Sequence, residues 1–322
     1  MKSTVKVVAL AAVVAFGASA AHGEEFVRIV SGSAGGAWYP LGAKLAELFQ
    51  HDLKGGGQIS VTNRPGGGGS NPRKVDAGEA ELGFTAGYTA ADAFHGRAGY
   101  KKEHKNLRAF ASMFPGVLQV AVRKDSKIRS FRDLKAASIS PGKVFTSGNV
   151  ALERLLGVYG ITYDSIKKNG GAIHRVSYSD ALAMMKDGHV DAFAALTSVP
   201  NATFLAADFS PGVRFLPVEK DVAEKFIKKF PGFWTDTVPP GVYKNTTSPV
   251  MTIASATTLV INKGVTEEMA YKLAKSFWSH HDAMLKVNKD WQQVELKTAL
   301  RGMDIPVHPG VLRFYREKGV VK

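Results

Sequence analysis

Three short stretches of small residues carry most of the chemistry this sequence offers: Ser31–Tyr39, Gly66–Asn71 and Pro141–Asn149. Glycine lets a backbone approach a bound molecule closely, and the unpaired amides at a helix start attract a carboxylate or phosphate. Ser33, Thr146 and Ser147 add hydroxyl donors, while Trp38 and Tyr39 offer aromatic walls. One such loop is no more than a backbone turn. Three, spread over two apparent domains at the ends of strands, argue for a binding cleft, because open parallel sheets bind ligands beyond the carboxyl ends of their strands.

Catalytic signatures are missing. No G-x-S-x-G elbow occurs, since Ser33 is preceded by Ser31 and Ser70 is followed by Pro72 at the required spacing. The phosphate loop fails at Gly142-Lys143, which is followed by Val144 and has Ala137 where glycine is needed. His280 and His281 are adjacent, so on a helix they diverge by about 100° and do not share a metal ion; they read as a solvated pair. His308, before Pro309-Gly310, reads as a turn or cap residue. The carboxylate pairs Glu79/Glu81 and Glu267/Glu268 read as surface positions, and Asp187/Asp191 bracket a turn. The chain holds no cysteine, which excludes disulfides, thiolate metal sites and a cysteine nucleophile. The expectation is a protein with no catalytic residues, no metal and no cofactor.

The elements that must position the loops alternate between strand and helix. Val27–Ser31 reads as a buried strand, and Pro40 opens a helix with Leu41, Leu45, Leu48 and Phe49 on one face. Gln58–Thr62 and Leu82–Thr85 read as strands, with a helix near Tyr88–Phe94. A second series follows Pro115-Gly116: strands at Val117–Val122, Ser138–Ser140, Ile173–Ser177 and Val190–Ala194, with helices after Asn149 and at Ser179–Lys186. Thr252–Ile261 is a β-branched stretch that could cross back to the first domain, and Thr266–Val287 reads as one long helix. This is an α/β pattern with mainly parallel sheets.

The N-terminus has the order of a secretory signal peptide. Lys2 and Lys6 precede an apolar run from Val7 to Phe16, then small residues to Gly23. Cleavage and export to a bacterial periplasm are the expectation. The formal charge of +14 falls to +12 without residues 1–23. The basic residues are spread among acids, and no aromatic-studded ribonucleoprotein motif or finger is present, which argues against a nucleic-acid partner. An anionic ligand stays compatible with the charge.

The chain resembles the TAXI solute receptors, the extracytoplasmic binding components of one class of TRAP transporters. The resemblance rests on Ser31-Gly32-Ser33-Ala34-Gly35-Gly36-Ala37-Trp38-Tyr39-Pro40-Leu41-Gly42 and on Asn71 followed by Gly78-Glu79-Ala80-Glu81-Leu82. It continues at Ser147-Gly148 with Gly160-Ile161, at Tyr178 with Asp191-Ala192-Phe193, and at Pro306-Val307-His308-Pro309-Gly310. It implies a type II periplasmic-binding-protein-like fold, two lobes joined by crossing strands: residues 24–115 with 255–322, and residues 116–254. It also implies a monomeric receptor without catalysis, which captures a small organic anion, such as an amino acid, a 2-oxoacid or a dicarboxylate, for a TRAP permease with fused membrane subunits. The ligand residues it implies are Ser33, Gly36, Trp38, Tyr39, Asn71, Tyr88, Thr146, Ser147, Gly148 and Asn149.

Departures from the family pattern bear on the ligand. Pro65-Gly66-Gly67-Gly68 stands where many members carry Thr-Gly-Gly-Ser, and Ala86 and Tyr88 stand where relatives often carry Gln and Asp. The expected cargo is a carboxylate with a less polar or aromatic tail, or a dicarboxylate met by Arg64 or Arg73. An exported sensor module that docks onto a signalling receptor would need the same cleft. An enzyme on the same fold would need a nucleophile or general base facing it.

Overall fold

The computed structural model describes residues 25–33, 35–53 and 59–321; residues 1–23, read above as a signal peptide, lie outside them. The first series is β1 (Glu25–Val30), α1 (Trp38–Leu53), β2 (Ile59–Arg64), α2 (Asn71–Asp76), β3 (Leu82–Ala86) and α3 (Gly87–Phe94). A long strand, β4 (Leu107–Arg123), leads through a 3₁₀ turn at Phe131–Ala136 into the second series. This comprises β5 (Ile139–Ser140), α4 (Ser147–Val158), α5 (Tyr163–Lys168), α6 (Tyr178–Lys186), β6 (Ala192–Thr197), α7 (Ala202–Phe209), β7 (Val213–Phe215), α8 (Lys220–Lys229) and β8 (Phe233–Val238). The chain returns along β9 (Val250–Asn262) and closes with α9 (Glu267–Ser279), α10 (His281–Val287), two 3₁₀ turns and α11 (Pro309–Glu317).

The α/β, two-lobed class implied by the sequence is what forms, with a refinement: the sheet is mixed. Its order is β2-β1-β3-β9-β4-β6-β5, with β7 on β4 and β8 on β9. Parallel pairing occurs at β1–β2, β1–β3 and β5–β6, each joined through helices as parallel neighbours require. Apart from a single parallel bridge between Ala109 and Val307, every pairing made by β4 or β9 is antiparallel, because these two strands carry the chain from one lobe to the other and back. Register shifts between Ala109 and Ala111 and between Ser112 and Pro115 bend β4 where it leaves the first lobe.

Each lobe has its own core. In the first, Leu41, Leu45 and Phe49 of α1 pack with Phe110 and Phe114 of β4, Phe277 of α9, Trp291 and Tyr315, all at most 2% exposed. In the second, one sheet face carries Leu118, Val120, Leu152, Leu155 and Phe226, and the other Phe193, Phe204 and Tyr243. Burial of each such side chain contributes roughly 1.5–3 kcal/mol.

Four sequence expectations are corrected. The strand expected at Val117–Val122 begins ten residues earlier, at Leu107, since Leu107, Ala109 and Phe110 are buried against β9 and the C-terminal segment. The long helix expected over 266–287 breaks at His280, whose backbone leaves helical geometry (φ −114°, ψ 34°) and whose ring nitrogen meets Asp52 at 2.7 Å. His280 is therefore paired, not simply solvated. Ile173–Ser177 makes a single bridge, Ile173 to Ile139, before Ser177 caps α6. His308 does cap α11, its Nδ1 accepting from the Gly310 amide at 3.3 Å.

Candidate functional site

The first lobe builds its wall from two interlocked loops. Ser31 N–H donates to Arg64 O at 3.0 Å and Gly66 N–H to Gly32 O at 3.2 Å, so the segments after β1 and β2 run side by side. Asn71 ties them together. Its Nδ2 donates to the Val30, Ser31 and Phe84 carbonyls at 3.2, 2.7 and 2.7 Å, and its Oδ1 accepts from the Gly67 amide at 3.0 Å. Thr85 Oγ1 and Tyr100 Oη donate to the Gly68 and Gly69 carbonyls, each at 2.6 Å. The glycine loop is thus held from below and turned toward the other lobe.

The second lobe answers with the start of α4. Thr146 Oγ1 accepts from the Asn149 amide at 3.3 Å and donates to Lys143 O at 2.9 Å, an N-cap arrangement. The amides of Ser147 and Gly148, first and second in the helix, have no acceptor within it. Gly148 lets α4 press on β6, since a Cβ there would lie 2.9 Å from the Leu196 nitrogen and 3.0 Å from Tyr178 Oη. The Tyr178 phenol is bonded to Thr146 and Leu196, and burial pushes its pKa up, so it stays neutral.

The two walls are closed on each other. Gly69 N–H donates to Phe145 O at 2.5 Å, Tyr88 Oη to Ser147 O at 2.9 Å, and Asn201 Nδ2 and Thr203 Oγ1 to Gly35 O at 3.3 and 3.0 Å. Gly68 meets Ser147 so closely that a Cβ on Gly68 would overlap the Ser147 hydroxyl. Arg154 pairs with Asp92 at 2.5 Å, its guanidinium 5.0 Å from the centre of the Tyr88 ring. The space left between them is narrow and continuous with solvent. Gly32, Ser33, Gly36, Ala37, Trp38, Gly67 and Gly68 line it from one side, and Thr146, Ser147, Tyr178, Leu196 and Thr197 from the other.

Of the ten residues singled out in the sequence, Ser33, Gly36, Trp38, Thr146 and Ser147 line this cavity. The other five are placed around it. Tyr39 is 41% exposed, with its carbonyl accepting from Asn63. Asn71 spends its amide on backbone. Tyr88 bridges the lobes and packs on Phe233, ring centres 4.3 Å apart. Gly148 is packed against β6, and Asn149 is buried behind the helix start with Tyr163 donating to its carbonyl. Leu196 and Thr197 were not singled out, although they end β6, where the strand-end rule places ligands. Tyr178 was noted only within the resemblance; its signal is the Ser177-capped start of α6.

The electrostatics are unusual for their lack of charge. Among the described lining residues there is no Asp, Glu, His, Lys or Arg. Arg64 is exposed, and Arg73 lies 4.4 Å from the ring centres of both Tyr100 and Phe145 and donates to Gly99 O. Two cavity hydroxyls, Ser33 Oγ and Ser147 Oγ, are buried with no hydrogen-bond partner, one from each lobe. No group of His, Asp and Glu among the described residues could hold a metal ion.

Comparison with solved structures finds the same architecture in distant proteins. XAC2383 from Xanthomonas citri matches with a TM-score of 0.50 at 12% identity, over 92% of this chain and 97% of that one. An ABC-transporter protein of Listeria monocytogenes matches at 0.52 and 11%, over 84% and 98%. The periplasmic aliphatic sulphonate binding protein SsuA of Escherichia coli matches at 0.46 and 16%, over 91% and 78%. The fold is that of the two-lobed periplasmic solute-binding proteins. The chain belongs to the NMT1-like family, whose pattern it matches over residues 29–319.

Proposed function

We propose that this protein is an exported solute receptor that closes on a small organic anion and presents it to a membrane transporter, as the TAXI resemblance implies for a TRAP-type permease. In this reading residues 1–23 are removed on export, and residues 24–115 with 255–322 close against residues 116–254. The observation that carries it is the pair of buried, unpartnered hydroxyls, Ser33 Oγ and Ser147 Oγ, whose residues line one cavity from opposite lobes near the starts of α1 and α4. A carboxylate there accepts from both hydroxyls and from helix-start amides, and its charge is favoured by both helix dipoles. Trp38 and Leu196 supply apolar walls for the remainder of the ligand.

A thermal-shift screen of the purified protein against 2-oxoacids, amino acids, dicarboxylates and aromatic acids tests this, with hits confirmed by calorimetry. Ligand at a hundredfold excess over Kd stabilises the folded form by about 2.7 kcal/mol. Ser147→Ala and Trp38→Ala are expected to weaken the hit by about tenfold each, the scale of one hydrogen bond to a charged group or one lost apolar wall. Unchanged affinity in both variants refutes the site. If nothing shifts, mass spectrometry of the denatured protein separates a ligand already bound from an absence of solute binding.

A further inference from the structure

We infer that the cleft selects a carboxylate bearing a single negative charge and a neutral tail, and rejects both zwitterionic amino acids and dicarboxylates; this rests on the receptor reading above. The cavity has means to hold one negative charge. Helices α1 and α4, sixteen and twelve residues long, begin at it from opposite lobes. Both present the positive end of their dipole. Independently, Ser33 and Ser147 are 8% and 3% exposed and bring unpartnered hydroxyls into the same space. These groups suit one anionic head.

A second charge has no counterpart. An ammonium group would sit between two positive helix ends with no Asp or Glu lining the cavity. A second carboxylate would need a cation, and the candidates are committed elsewhere. Arg154 is paired with Asp92 at 2.5 Å, Arg73 is spread over Tyr100 and Phe145, and Arg64 and Lys143 are exposed outside the lining. A buried charge without partners is strongly unfavourable. Neutral polar substituents are accommodated: Thr197, whose hydroxyl accepts from Asn201 and keeps its own proton, lines the cavity beside Ala37, Trp38 and Leu196, so a 2-oxo or 2-hydroxy group finds a hydroxyl and an alkyl tail finds apolar surface.

The test is calorimetry with the wild-type protein and ligands matched in skeleton but not in charge. Propionate, pyruvate, lactate, alanine and malonate form the three-carbon set, repeated with the four- to six-carbon homologues and with phenylpyruvate against phenylalanine. The expected result is saturable binding of at least one singly charged acid, with the amino acid and dicarboxylate of the same skeleton weaker by about a hundredfold or more. Equal or tighter binding of the amino acid or dicarboxylate overturns the charge selection while leaving the receptor reading in place. Failure of every acid, with no ligand released on denaturation, overturns both.

Discussion

Asn71 shows how much a single residue's role depends on its surroundings. Its side chain could contact a ligand, yet it accepts one amide and serves three carbonyls drawn from β1, the following loop and β3, and so shapes the wall from behind. Asp290 carries a sharper consequence. It is 7% exposed and faces the Ser198 hydroxyl and Val199 backbone; burial outweighs these bonds and raises its pKa from 3.8 to about 6. A carboxyl whose pKa is raised by folding holds more protons in the folded chain between those two values. Its contribution to stability is complete below pH 3.8 and is lost as pH rises through 6. Asp290→Asn is therefore expected to match the wild type near pH 4 and exceed it in stability by about 2–3 kcal/mol at pH 7, by urea unfolding at both pH values. His308, whose pKa is lowered by burial, acts with the opposite sign in this window, but it is common to both proteins and cancels in the difference. A constant difference across the range would refute the assignment.

At the scale of elements, the glycine loop and the start of α4 behave as a matched pair of surfaces. Gly68 has no side chain where Ser147 arrives, and Trp38 Cη2 would lie 3.2 Å from any Cβ placed there. Gly68→Ala is expected to weaken solute binding by about tenfold or more, the scale of overpacking a tight contact. X-ray scattering is then expected to show no contraction on adding the solute identified by the screen; full contraction in the variant would sink the idea. Part of the local structure was legible in sequence: His308 caps α11, and Pro40 falls in the first turn of α1, whereas Thr146 was read as a ligand hydroxyl and proves to cap α4. The break at His280 was not legible, because Met269, Leu273, Phe277 and Met284 keep a helical spacing through it. What interrupts the helix is a long-range bond to Asp52 in α1.

Across the whole molecule, closure is secured at a distance from the cavity. Arg154 of α4 and Asp92 of α3 are 13% and 17% exposed, and the guanidinium lies 5.0 Å from the ring centres of both Tyr88 and Phe230. The pair joins the lobes, so under the proposed receptor function its energy belongs to the closed form. Arg154→Met and Asp92→Asn are each expected to reduce solute affinity, with a coupling of about 1–2 kcal/mol in a double-mutant cycle on binding. The same cycle on unfolding of the unliganded protein is expected to show much less coupling. Equal coupling in both would mean that the pair stabilises the fold and has no special part in closure.

The sequence by itself determined the alternation of strands and helices, the cap at His308 and the three small-residue loops, because these follow from local periodicity, backbone permissiveness and side chain-to-amide bonding within a few residues. Tertiary structure decided the rest. Which loops share a cavity depends on contacts such as Trp38 Nε1 with Thr257 Oγ1, 219 residues apart, and Gly35 O with Thr203 Oγ1, 168 apart. That Tyr39 faces outward while Leu196 and Thr197 face the cavity depends on how α1 and β6 are packed. The mixed sheet likewise arises because β4 and β9 must each traverse both lobes, and strand direction is fixed only when the chain's long-range path is.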